Sequence, residues 1–166
     1  PAGGRSFSRP SERTSGPERR SRPYEARDGD QTARTPSRAV AGPEIPEEVT
    51  GAELSKEIRG QLAGLSSHSS RELSRRLVMI GRLIHSDPDL AWAHAKTARA
   101  MGGRLGVVRE AAGLAAYSAG HYAEALSELR AARRMTGLQN YLPVMADCER
   151  GLGRPEKALA LAELPE

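Results

Sequence analysis

The stretch Gly113-Leu114-Ala115-Ala116-Tyr117-Ser118-Ala119-Gly120-His121-Tyr122-Ala123-Glu124-Ala125 decides the architecture. It sets two small residues, Gly113 and Ala125, on either side of a turn glycine, Gly120. Two helices folded back on each other need small residues at their contact, because bulk there would push the axes beyond ~8–10 Å. Offsetting the chain against itself finds the pattern again. At 33 residues Gly113 falls on Ala146, Gly120 on Gly153, Ala125 on Ala158 and Leu129 on Ala162. At 34 residues Ala91 falls on Ala125, Ala95 on Leu129 and Ala98 on Ala132. Ala125 is expected to pack across the hairpin on Gly113.

Working outward, the same helix–turn–helix rhythm runs both ways. Downstream, helices are predicted near 121–136, 141–152 and 155–164, broken at Gly137 and at Gly153-Arg154-Pro155. Upstream, one is predicted near 105–119. Before it, Asp87-Pro88 supplies a capping acid and a first-turn proline for a helix carrying Leu90 and Trp92, which Gly102-Gly103 ends. Leu73, Leu77, Ile80 and Ile84 share one face of a helix over about 70–85. Earlier still, Leu54, Ile58, Leu62 and Leu65 form a helical stripe. Thr50 with Glu53, and Ser69 with Glu72, have the S/T-x-x-E spacing of a capping box that opens a helix. Sustained strand-like alternation is missing, so the predicted fold class is all-α.

The first 46 residues differ in kind. They hold seven of the eleven prolines, nine arginines and six acids, with hardly any large aliphatic side chain. Such a segment cannot offset its own ordering entropy and is expected to be a disordered tail. Residues 47–69 then form a linker and N-terminal helix, and 70–166 the repeats. The tail carries a charge of +3 and the remainder +1, so the folded part is close to balanced. Arginine outnumbers lysine 22 to 3, which reads first as the imprint of a GC-rich genome and only second as selection for phosphate contacts. The single cysteine, Cys148, fits a reducing cytoplasm. No stretch approaches the ~18 apolar residues of a membrane span, and no apolar segment near the N-terminus reads as a secretory signal.

The middle unit resembles a tetratricopeptide repeat: its small residue, turn glycine, following aromatic and paired alanine fall in the family's order, as do Leu129 and Ala132. A third unit keeps Leu152-Gly153, Ala158 and Leu159 but has Pro155 where an aromatic is usual. The first unit has Met79 at the small position and Asp87-Pro88 in place of the glycine turn. The runs Val108–Gly113 and Val144–Arg150 are also similar to actinobacterial repeat proteins with Arg-rich N-terminal tails. The resemblance covers about residues 70–164 and implies a short α-solenoid of about three helical hairpins.

Stacked hairpins of that kind make a concave groove lined by the first helix of each pair, into which a peptide or helix can lie. In this register the groove side comprises Arg76, Ile80, Leu83, Glu110, Leu114, Tyr117, Asp147 and Arg150. Glu110 and Asp147 would repel a carboxylate, so a helical or extended protein segment is the expected partner. The alternative is RNA or ribosome contact through the tail, where Arg9, Arg13, Arg19, Arg20, Arg22 and Arg27 accompany Phe7 and Tyr24.

Catalysis finds no support in the residue pattern, and no cofactor is implied. His85 and His94 stand nine residues apart, His68 and His121 stand alone, and no H-E-x-x-H or paired cysteine occurs. The histidines read as surface or turn residues, Cys148 as a small buried one and Trp92 as core. Arg130, Arg133 and Arg134 read as a solvated helix face. At the C-terminal edge Leu159, Leu161 and Leu164 lie on more than one helix face. That edge is expected to self-associate, to be covered by another protein or further repeats, or to fold its leucines inward.

Overall fold

The computed structural model describes residues 41–164. The disorder expected of residues 1–40, and the RNA contact assigned to them, lie outside the described residues. Among the described residues every regular element is helical. The helices are α1 (Lys56–Leu62), α2 (Ser67–Leu83), α3 (Pro88–Gly102), α4 (Gly106–Ser118), α5 (Tyr122–Thr136), α6 (Leu142–Gly151) and α7 (Pro155–Ala162). Each packs mainly on its chain neighbours, with the most extensive pairings α4 on α5, α2 on α3, α3 on α4 and α6 on α7.

Local chemistry sets the boundaries. Asp87 caps α3 as expected, its Oδ1 accepting from the Leu90 amide at 3.1 Å, with Pro88 in the first turn. After α4 and α6 the chain turns through Gly120 (φ 77°) and Gly153 (φ 71°). Their amides bond to Tyr117 O and Arg150 O, while the following amides of His121 and Arg154 reach back to Ala116 O and Glu149 O. This is the Schellman closure, and its left-handed position explains glycine at both turns.

Two expected helix starts are corrected. The Thr50 amide and hydroxyl both donate to the Glu53 carboxylate, but the Thr50 hydroxyl accepts from the Ala52 amide and not from that of Glu53. Gly51 at φ 89° takes the chain out of helical geometry, so they close a turn. Ser55 caps α1 instead, accepting from Ile58. Likewise Ser66, not Ser69, caps α2, and Glu72 pairs with Arg76 one turn on at 2.8 Å.

The core is unusually rich in alanine. Ala91, Ala95, Ala98, Ala112, Ala115, Ala116, Ala125 and Ala132 are all fully buried, and Trp92 joins them at 7% exposure as expected. So small a side chain buries little area, and cohesion depends on close helix approach instead. Gly113 marks the closest approach. A Cβ there would stand 2.6 Å from Leu129 Cγ and Cδ2, and 3.2 Å from the Leu129 amide nitrogen. The expected partner, Ala125, is corrected. Gly106 meets Thr136 at the far end of the same antiparallel pair, so Gly113 falls opposite residue 129 and Ala125 lies nearer the turn.

A Gly113→Ala substitution is therefore expected to overpack this contact and cost roughly 1–3 kcal/mol. Urea unfolding of the wild type, Gly113→Ala, Leu129→Ala and the double variant provides the check. Leu129→Ala should cost less in the Gly113→Ala background, by a coupling of about 0.5–3 kcal/mol.

Candidate binding surface

An apolar cleft of about 170 Å3 opens where α2 and α4 lie side by side. Leu77, Ile80 and Ile84 of α2 face Val107, Ala111 and Leu114 of α4. A third side comes from Leu54, in the turn before α1, and Ile58 of α1, so the chain lays residues of its own N-terminal segment against this face. Leu62 of α1 is fully buried, which anchors that segment.

Of the predicted groove residues, Ile80 and Leu114 line this cleft together, and Leu83 is half-buried and packed against the core. Ile80 is only 3% exposed, so it forms floor more than contact surface. Further along, Tyr117, Asp147 and Arg150 form a second group. The Tyr117 hydroxyl donates to Asp147 Oδ2 at 2.7 Å, and Arg150 pairs with Asp147 Oδ1 at 3.1 Å. That hydrogen bond, with burial, pushes the Tyr117 hydroxyl up to about 12. Glu110 lies between the two groups in sequence, beside Tyr141, and burial holds its carboxyl above the usual carboxylate range.

Arg76 is the exception, a correction to its expected place in the groove. It is 5% exposed and lies under the segment before α1. Its Nη1 donates to Pro43 O at 3.1 Å, and its Nη2 pairs with Glu72. Arg75 adds bonds to the carbonyls of Ile45, Pro46 and Val49. Residues 43–49 are thus strapped across α2, so the end of the expected tail, residues 43–46, is bonded to the helical body. The reason is chemical: an extended segment has few helical partners for its carbonyls, and two arginines on successive positions of α2 donate to those of Pro43, Ile45, Pro46 and Val49.

Beneath the strap lies His94, fully buried, which corrects the expectation that the histidines sit at surfaces or turns. Arg76 Nη1 stands 3.2 Å from His94 Nδ1. A guanidinium only donates, so Nδ1 accepts and the ring proton belongs on Nε2, which has no partner. Burial first, and then the Arg76 charge, lower the His94 pKa. Spacing gave no sign of this site, because Arg76 and His94 are 18 residues apart on different helices.

Cys148 is fully buried, and desolvation leads the causes that push its thiol up to about 11. A thiol so reluctant to ionise is a poor nucleophile. Among the described residues no group of three or more His, Cys, Asp or Glu side chains could hold a metal ion, and no helix is long and apolar enough to cross a membrane. No protein-family model, curated protein or solved structure matches the chain.

The His94 site sets a pH dependence. Its pKa is about 6.5 in the unfolded chain and lower when folded, so below about pH 6.5 the unfolded state binds more protons. Its contribution to stability is complete above that pH and falls as the pH drops towards the folded value. Urea unfolding at pH 7.5 and 5 should show a larger loss for the wild type than for His94→Gln, which can still accept from Arg76 but does not titrate. Equal losses would remove His94 as the cause.

Proposed function

We propose that this chain is a protein-binding module of tetratricopeptide-like helical hairpins, taking an apolar helical or extended segment of a partner along the face of α2, α4 and α6. One observation carries the proposal: the chain already places Leu54 and Ile58 of its own on the cleft between α2 and α4. A face that accepts an apolar helical segment in one chain has the chemistry to accept another. The repeat register supports the architecture. Asp87, Gly120 and Gly153 stand 33 residues apart at the three turns, and Ala91, Ala125 and Ala158 are each buried one turn into the second helix of a pair. Divergence of the first unit has a physical counterpart, since Asp87 closes its turn by capping rather than by a left-handed glycine.

On this proposal the chain is no enzyme and needs no cofactor. Its partners are proteins, and its single cysteine suits a reducing cytoplasm. Leu114, Tyr117 and Arg150 are the contact residues, with Ile80 and Leu83 supporting them from α2 and Glu110 and Asp147 setting local charge. A photo-crosslinking side chain placed at Leu114 of the full chain is expected to capture a protein in cells. The same group at Lys96, exposed on α3, should not. Capture at both positions alike, or crosslinks only to RNA, would reject the proposal. RNA crosslinks abolished by deleting residues 1–40 would favour the tail instead.

A further inference from the structure

The exposed large apolar side chains of the described residues are not scattered. Met135, Leu138, Leu159 and Leu164 are all at the C-terminal end, between 38% and 64% exposed. Of the alternatives for the last helix, inward folding of its leucines does not hold, since of the three only Leu161 is half-buried. Between α6, α7 and the loop after α5 lies a cleft of about 820 Å3, with Leu138, Leu142, Pro143, Ala146, Leu161 and Leu164 in its walls. Leu161 is shared with an adjoining cleft of about 420 Å3, whose other walls are Met145 and the arginines Arg130, Arg133 and Arg134.

Charge around this second cleft is one-sided. Glu149 is buried and takes Arg130 at 2.6 Å and Arg154 at 3.6 Å. Arg133 donates to the neutral amide of Gln139. Arg134 is exposed and makes no ion pair among the described residues. Arg133 and Arg134 thus stand beside an apolar trough with no acid paired to either among the described residues.

We infer that this C-terminal trough is a second docking surface, and that its occupant is an acidic amphipathic helix of a partner protein. The trough takes a stripe of apolar side chains at helical spacing. Carboxylates along one flank of that helix would pair with Arg133 and Arg134 at the rim, favouring binding and orienting it. Single-stranded nucleic acid fits worse, because bases bind by stacking on aromatic rings and no aromatic side chain lines either cleft. A second copy fits worse too. A two-fold interface uses the same patch from both chains, so it would bring both arginine sets together without added carboxylates. The inference does not rest on the α2–α4 cleft, which shares no residue with this trough.

The test uses the full chain and a labelled synthetic helix of about 18 residues with leucines at i, i+3, i+4 and i+7 and glutamates on one flank. Fluorescence anisotropy should show saturable binding that weakens with salt. Arg134→Glu and Leu138→Ser alter exposed side chains, so both should stay folded, as melting curves would verify. Each should weaken binding by at least about fivefold, whereas Leu114→Asp should not. Any of four results would overturn the inference: no saturable binding, equal binding of a peptide with lysine for glutamate, unchanged affinity in both trough variants, or single-stranded RNA binding in the peptide's place with the same sensitivity to Arg134→Glu. Sedimentation showing a dimer that Leu138→Ser dissolves would assign the face to a second copy instead.

Discussion

Glu128 is 1% exposed, and a carboxylate so placed is tolerable only because Arg99 and Arg109 each reach it at 2.7 Å. One residue of α5 therefore ties down α3 and α4. The alanine-rich core around it gives the constraint its importance. Alanines allow helices to approach closely, but they interlock weakly and specify no unique register. A buried charge with two fixed partners does specify one, because sliding any of the three helices would leave it unpaired. The device recurs one step on. Glu149 of α6 takes Arg130 of α5 at the same sequence separation, 19 residues, that joins Arg109 to Glu128.

Nearer the N-terminus the device changes chemistry. Arg76 of α2 faces α3 at a separation of 18 residues, but the group it meets is His94, not a carboxylate. The Arg76 charge is answered by Glu72 on its own helix and by the Pro43 carbonyl of the strap. The α2–α3 junction is thereby the one of the three whose cross-helix partner is a histidine, with a pKa lowered by burial and by the Arg76 charge. It is also the junction that holds the strap and, through Leu77 and Ile80, floors the cleft against which Leu54 and Ile58 lie.

The parts of the fold legible in the sequence were those written in local chemistry. Gly120, Gly153 and Asp87 announce turns because backbone geometry demands them at a single position, and the alanine pattern gives the period because close helices demand it everywhere. Helix starts were less legible. Thr50 and Glu53 have the spacing of a capping box and form one of its two bonds, yet the backbone at Gly51 decides that a turn results. The partner of Gly113 was missed for a geometric reason: antiparallel pairing runs residue numbers in opposite directions, so the contact slides away from the turn. The candidate surface was half legible. Periodicity placed Ile80 and Leu114 on one face, but no local signal shows that Leu54 and Ile58 cross onto it. Nor does one show that the strap draws Arg76 inward, because carbonyl acceptors carry no residue signature.

The two surfaces follow from how the charges are used. Arg99, Arg109 and Arg130 are drawn into pairs with buried acids, so their charge is answered where it stands. Arg133 and Arg134, one helical turn beyond Arg130 on α5, pair with no acid among the described residues, and they share a cleft with Met145 and Leu161. The α2–α4 cleft has the opposite character. It is apolar and lined by no ionised side chain, so an occupant there is selected by shape and hydrophobicity with little salt dependence. The C-terminal trough selects by charge as well, and its occupancy must weaken as salt rises. With no wall residue in common, a substitution in one should leave the other's affinity nearly unchanged, and effects should add. Glu128 and Glu149, the buried charges that tie α4, α5 and α6 to their neighbours, stand between the two surfaces together with the close Gly113–Leu129 contact.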